Sequence, residues 1–251
     1  MKYSYDRGLR GRSTLSSTIP SAISHIFRYT DINPCSSPLV REMKRTLRNL
    51  SNPVTQKAPL TRAHLISIAS LVTPVFDSVQ DYFMILLMMV CMLRGSEVVQ
   101  LRATDVWIKD IECSRCLFVF VEKSKTDQSR NGHTIIVGHS SLRSLCPVHW
   151  FYAHTRMRKT TMPFLFHHGT NSRAALANTT PNKTLKRLLI NVDPNLYGSH
   201  SARRGGVTAA MAAGAKLHLV ARHGNWKSDA IFLYITDSLG AKLSISRAIL
   251  G

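Results

Sequence analysis

The feature that most constrains the fold is an apolar run from Tyr82 to Leu93 that ends abruptly on Arg94. The run is well short of the roughly 18–20 residues needed to span a bilayer. It therefore predicts a buried helix, over about Asp77 to Leu93, and no membrane segment. An arginine closing such a run is physically odd unless it is paired. Glu97, three residues on, can hold the guanidinium while leaving donors free. The plainer reading of Arg94 is a cation complementing a helix C-terminus.

Around this run the chain alternates helical and strand-like patterns. Leu15, Ile19, Ile23 and Ile26 recur at helical spacing within Thr14 to Tyr29. Pro34 and Pro38 interrupt the chain before a second helix at about Leu39 to Leu50, rich in Arg and Lys. Residues 53–60 read as a linker by composition. Thr61 is placed to cap a helix with Leu65, Ile66, Ile68 and Leu71 on its apolar face. Thr104 to Asp110, Cys116 to Glu122 and His133 to Gly138 alternate like strands. The last two flank a loop, Lys123 to Gly132, that ends in the turn pair Asn131-Gly132. Pro147 to Lys159 and Pro181 to Asn191 read as helices. The second carries a basic stripe, Lys183, Lys186 and Arg187, which is either a solvated face or a phosphate-contacting one.

Charge narrows the partner. Thirty-three Lys and Arg against 14 Asp and Glu leave a net charge of +19. That excess implies a polyanion, because each cation set on a phosphate releases condensed counterions. A hydrophobic content of 44% is normal for a globular protein and excludes whole-chain disorder. Met1 to Arg12 is polar and basic without the apolar core of a secretory signal. Five scattered cysteines fit a reducing compartment. Cys113 and Cys116 with Cys146 and His149 have ligand-like spacing for zinc. Alternation would bury Cys116 in a strand, and Cys146-Pro147 reads as the start of a helix, so no metal is expected. His149, His154, His167 and His168 match no ligand pattern and read as surface or packing residues.

The chemistry gathers near the C-terminus. Gly198-Ser-His-Ser-Ala-Arg203 places His200 and Arg203 one turn apart, on one face of a helix that Ser199 would cap and Gly214 would stop. A short helix is expected over Lys216 to His223, and a third, capped by Ser228, carries Tyr234. The set His-Ser-Ala-Arg, Gly-Asn-Trp-Lys-Ser-Asp-Ala and Tyr-Ile, with Tyr234 at the correct distance from Arg203, resembles the active-site half of tyrosine recombinases, the phage-integrase family. The nearest flavour is that of eukaryotic tyrosine-recombinase retrotransposons and Crypton-type elements. Arg94-Gly-Ser-Glu97 matches the family's first active-site box. Within Ser-Lys-Thr-Asp-Gln, Lys125 matches the family's hairpin lysine, with Lys123 as the competing candidate.

The resemblance implies an α+β fold, mainly α, with a small antiparallel sheet over Thr104 to Gly138 beside a helical catalytic shell. It makes residues 1–52 the remnant of an N-terminal helical DNA-binding domain and 61–251 the catalytic domain. The implied function is site-specific cutting and rejoining of double-stranded DNA, as a self-associated dimer or tetramer on DNA, in the nucleus if the source is eukaryotic. The implied catalytic set is Arg94, Lys125, His200, Arg203 and Tyr234, with Glu97, Asn225 and Trp226 positioning the phosphate. Tyr234 would be the nucleophile, His200 would handle its proton, and Lys125 would protonate the departing oxygen. A covalent phosphotyrosyl link conserves bond energy, so no cofactor is implied. One departure stands out: nine residues before Tyr234 the family usually has His or Trp, or a basic residue in some transposon relatives, where this chain has Asn225. Asparagine donates hydrogen bonds but carries no proton at neutral pH. Three alternatives remain: a catalytically weak DNA-binding remnant, a type IB topoisomerase and, weakest, an RNA-binding protein.

Overall fold

A computed structural model of the chain describes residues 15–50, 56–124, 131–158, 161–168, 173–192, 194–237 and 239–250. The chain divides into two compact units, one ending at Gln56 and one starting at Lys57. In the first, helix α1 (Leu15–Ile26) is followed by a 3-10 turn (Pro34–Ser36) and helix α2 (Pro38–Leu50). Asn33 caps the turn by accepting from the Cys35 amide at 2.9 Å. Leu47 is buried while Arg41 and Arg45 on the same helix are exposed.

The second unit begins with α3 (Arg62–Ser70), α4 (Phe76–Val90) and a single turn, α5 (Gly95–Val98). The expected Thr61 cap is present: its hydroxyl accepts from the His64 amide and the His64 ring accepts from the Thr61 amide, each at 3.2 Å. Helix α4 carries Asp77, Ser78, Gln80 and Asp81 in its first turns and is apolar beyond them, with Tyr82 through Met88 fully enclosed. It stops at Val90, short of the expected Leu93, because Met92 enters the left-handed region at φ +52°. Leu93 N then donates to Met88 O and Met92 N to Met89 O, the two bonds of a Schellman cap. Glycine usually takes that position, and a residue with a Cβ there costs about 1–2 kcal/mol.

Strands β1 (Val106–Ile111), β2 (Ser114–Val121) and β3 (His133–Gly138) form an antiparallel sheet in sequence order. Val106, Val119 and Ile135 align across it and are buried with Leu117 and Val121, while Trp107 and Phe118 stack on the outer face. Helices α6 (Pro147–Met157), α7 (Thr180–Leu188), α8 (Ser199–Ala212) and α9 (Leu217–His223), a 3-10 turn (Asp229–Tyr234) and α10 (Leu239–Leu250) complete the unit. Cys146 caps α6 through sulfur, accepting from His149 N at 3.4 Å, and Cys116 is buried in β2. Both sulfurs thus have packing roles.

Helix α8 lies against α4 at backbone distance. A Cβ on Gly206 would sit 2.1 Å from Met89 O, and one on Gly205 would sit 2.0 Å from Leu60 O. Only glycine permits that approach. Leu60 N donates to Ser201 O at 2.8 Å, fixing the first turn of α8 from the other side. Gly198, and not the expected Ser199, is the N-cap residue; Ser199 is the first helical residue and donates its amide to Asn182 Oδ1 at 3.1 Å. Gly214, at φ +81°, stops the helix as expected.

Candidate active site

The site grows from the ends of two helices. The Schellman cap of α4 turns Met92 O toward α8. Helix α9 ends the same way: Asn225 lies at φ +53°, its amide donates to Arg222 O, and Trp226 N donates to Ala221 O at 2.8 Å. That explains the residue type at 225, since asparagine enters the left-handed region more readily than most. Gly224, just before it, is buried and leaves its carbonyl outside the helical ladder.

Arg203 binds both ends. Its Nη1 donates to Met92 O and its Nη2 to Gly224 O at 2.8 Å. The guanidinium is 1% exposed, so its charge needs internal compensation. Two carbonyl-rich helix termini supply part of it. Glu97 Oε2 lies 3.8 Å from Nη1, and the Trp226 ring lies 3.6 Å from the guanidinium carbon. Burial, with help from Arg94, pushes the Arg203 pKa down to about 10, and Glu97 and Tyr234 oppose the drop. Arg203 therefore remains a cation at neutral pH. Two of its donors thus point inward, and Arg203 acts as a buried fixed charge.

Arg94 stands at the N-cap of α5. Its Nη1 meets Glu97 Oε1 at 2.5 Å and its amide meets Glu97 Oε2 at 2.7 Å. One carboxylate, 6% exposed, thus lies between two arginines from distant segments.

The tyrosine side is different. Ser228 caps the 3-10 turn weakly, and Ile231 anchors it in a small apolar cluster with Met92, Val207 and Val220. Arg204 donates to Leu233 O and Thr208 to Tyr234 O, so the segment is pinned on α8 of its own chain. Tyr234 Oη lies 3.2 Å from His200 Nδ1, and its ring meets Trp226 edge-on at 5.3 Å. His200 is exposed and Tyr234 is half-buried.

Of the expected residues, Arg94, Glu97, His200, Arg203, Trp226 and Tyr234 are gathered in one place. Lys125 lies outside the described residues. Lys123 is exposed on the wall of an open groove of about 540 Å³, which it shares with Glu97, Gln100, Arg102 and Asn178. Asn225, expected to position the phosphate, directs its amide at Ser124 Oγ (3.3 Å) and His133 Nδ1 (3.2 Å). Sequence reading missed Ser124 and His133, because His133 reads as the first residue of an ordinary strand. The basic stripe on α7 is reduced, since Arg187 pairs with Asp81 of α4.

A mainly helical unit with a three-stranded antiparallel sheet and this end-to-end order of elements defines the class of tyrosine recombinases. Residues 60–237 match the profile of the phage integrase family, and the chain belongs to that family. Solved structures similar in fold include the XerH site-specific recombinase bound to palindromic difH substrate in a post-cleavage complex (TM-score 0.59, 13% identity, 95% of this chain and 70% of that one). Another is the Tn1549 transposon integrase in complex with circular intermediate DNA (0.61, 15%, 99% and 85%). A third is a lambda integrase dimer bound to a COC′ core site (0.60, 16%, 91% and 61%). None of the curated proteins compared with the chain matches it.

Proposed function

We propose that this chain cuts and rejoins double-stranded DNA by site-specific strand transfer, through a covalent tyrosyl intermediate. The observation that carries the reading is the Tyr234 hydroxyl 3.2 Å from His200 Nδ1, beside the buried cation of Arg203. In the cleavage step Tyr234 Oη attacks phosphorus, the P–O5′ bond breaks, and a 3′-phosphotyrosyl link and a free 5′-hydroxyl result. The phenolic proton passes to His200 Nδ1, and Lys125 gives a proton to the departing O5′. Charge building on the phosphoryl oxygens is offset by Arg94 and Arg203, whose cations are held in place before substrate arrives. Rejoining reverses the step with the 5′-hydroxyl of another strand. Because Arg204 and Thr208 hold the Tyr234 segment on its own chain, each subunit would use its own tyrosine. Several copies on one DNA would supply the strands to be exchanged.

A second reading, a DNA-binding remnant with weak cleavage, is favoured by the inward-facing donors of Arg203 and by Asn225 in place of a proton carrier. One assay separates the two. Nicked duplexes with randomised flanks trap a covalent adduct, because the short cleaved piece diffuses away. The strand-transfer reading expects an adduct with wild type and none with Tyr234→Phe, while both proteins retain equal, salt-sensitive DNA binding. Binding without any wild-type adduct establishes the remnant. An adduct that survives Tyr234→Phe overturns the nucleophile assignment.

A further inference from the structure

We propose that His133 is a further positioning residue of the cleavage site, joined to Asn225 in a latch across the base of the β2–β3 hairpin. The proposal rests on the strand-transfer reading, in which Lys125 protonates the leaving oxygen. The Asn225 amide nitrogen has two hydrogens. One is directed to Ser124 Oγ at 3.3 Å and the other to His133 Nδ1 at 3.2 Å. Ser124 is the residue before Lys125 and is 5% exposed, and His133 opens β3 opposite Val121. One side chain from the cap of α9 therefore grips both strands where the hairpin loop leaves the sheet.

The grip assigns each partner a role. With Asn225 as donor, His133 Nδ1 serves as the acceptor. It also links two parts of the site. Asn225 follows Gly224, whose carbonyl holds Arg203, and precedes Trp226, which covers Arg203. Ser124 precedes the lysine. A proton donor works only within hydrogen-bond reach of the atom it protonates. Fixing Ser124 to the cap of α9 therefore holds the last described residue before the lysine in place beside the cap that binds the buried arginine. On this account Asn225 is no degraded phosphate ligand. Its left-handed backbone and its two-donor amide suit a residue that ties the hairpin down.

The test uses the full chain and the nicked duplex recovered from the randomised pool, made with either a normal phosphodiester or a 5′-bridging phosphorothiolate at the cleaved position. A thiolate leaves without being protonated, so defects in delivering the acid disappear on the sulfur substrate. Asn225→Gly, which keeps the left-handed backbone unstrained, and His133→Leu are expected to lose about tenfold or more in cleavage of the normal substrate. Both should return to within about threefold of wild type on the sulfur substrate, as Lys125→Ala should. His133→Asn offers an oxygen where Nδ1 stood and should recover most of the loss. Arg203→Lys should stay impaired on both substrates. Amide hydrogen exchange over residues 122–133 gives a second, catalysis-free measure. It should quicken in Asn225→Gly and His133→Leu and return toward wild type in His133→Asn.

Equal losses on both substrates, or exchange that does not change, overturn the latch even where Lys125→Ala is rescued and strand transfer stands. If wild type forms no adduct on either substrate, the strand-transfer reading fails, and with it the positioning role.

Discussion

Helix α4 separates two buried seams, and each encloses a nitrogen base. On the α8 side lies Arg203; on the α6 side lies His154, fully buried among Phe76, Phe83 and Phe166. Burial disfavours charge on both, yet the outcomes differ. Arg203 drops only to about 10 and stays charged. Burial, with Arg158 and His167 nearby, pushes His154 down to about 3, so it is neutral. Part of the difference is intrinsic, since arginine begins far higher. The rest is environment. Arg203 has two helix-end carbonyls, a carboxylate and an aromatic face, with only its Nε unpartnered among the described residues, whereas neither ring nitrogen of His154 has a hydrogen-bond partner among them. A buried charge is tolerated where the fold has already built its counterpart. The α8 seam is built around a cation and the α6 seam excludes one.

The largest expected effect breaks the α8 side. Arg203→Leu should lower cleavage by at least about a thousandfold, because a fixed charge is lost and Glu97 keeps only one partner. His154→Leu should leave cleavage near wild type. Single-turnover adduct formation on the nicked duplex measures both, and a strong defect in His154→Leu would erase the contrast.

Acid should next expose the α6 side. The unfolded histidine titrates near 6.5 and the folded one at about 3, so stability is complete above the unfolded value. It is lost as pH falls from about 6.5 toward 3, by up to roughly 5 kcal/mol in the limit. Denaturant melts from pH 7 to 4 should show this decline, and His154→Leu should flatten it.

A third change acts on the α8 contact itself. Gly206→Ala places a methyl 2.1 Å from Met89 O and should cost about 3 kcal/mol, read as a shifted denaturation midpoint. The same change at Gly138, which has open space around it, should be close to neutral.

The smallest effect asks whether pairing also decides surface charges. Lys183→Ala and Lys186→Ala should each lower the slope of log affinity against log salt by about 0.9 if the residue meets a phosphate. Arg187→Ala should lower it less, because Asp81 already holds that side chain. Equal slopes for all three would show that the ion pair opens on DNA.

Much of this was legible because it is local. The apolar run had to be a buried helix, Thr61 had to cap, and three alternating segments paired as one small antiparallel sheet. The His200, Arg203 and Tyr234 spacing pointed to one place, and the structure brings these residues together. The misplaced boundaries have particular causes. Helix α4 ends early because Met92 adopts a conformation that its residue type disfavours, and Ser199 yields the cap position to Gly198.

What the sequence determined by itself is the set of elements, the strongly basic character and the identity of the chemically able residues, since periodicity, capping and charge are properties of neighbours along the chain. Tertiary structure decided which way those residues face. The carbonyls that receive Arg203 come from Met92 and Gly224, and the partners of Asn225 from Ser124 and His133, all far off in sequence. Such bonds depend on where two helix caps and a hairpin meet in space, and no pattern of adjacent residues encodes that meeting.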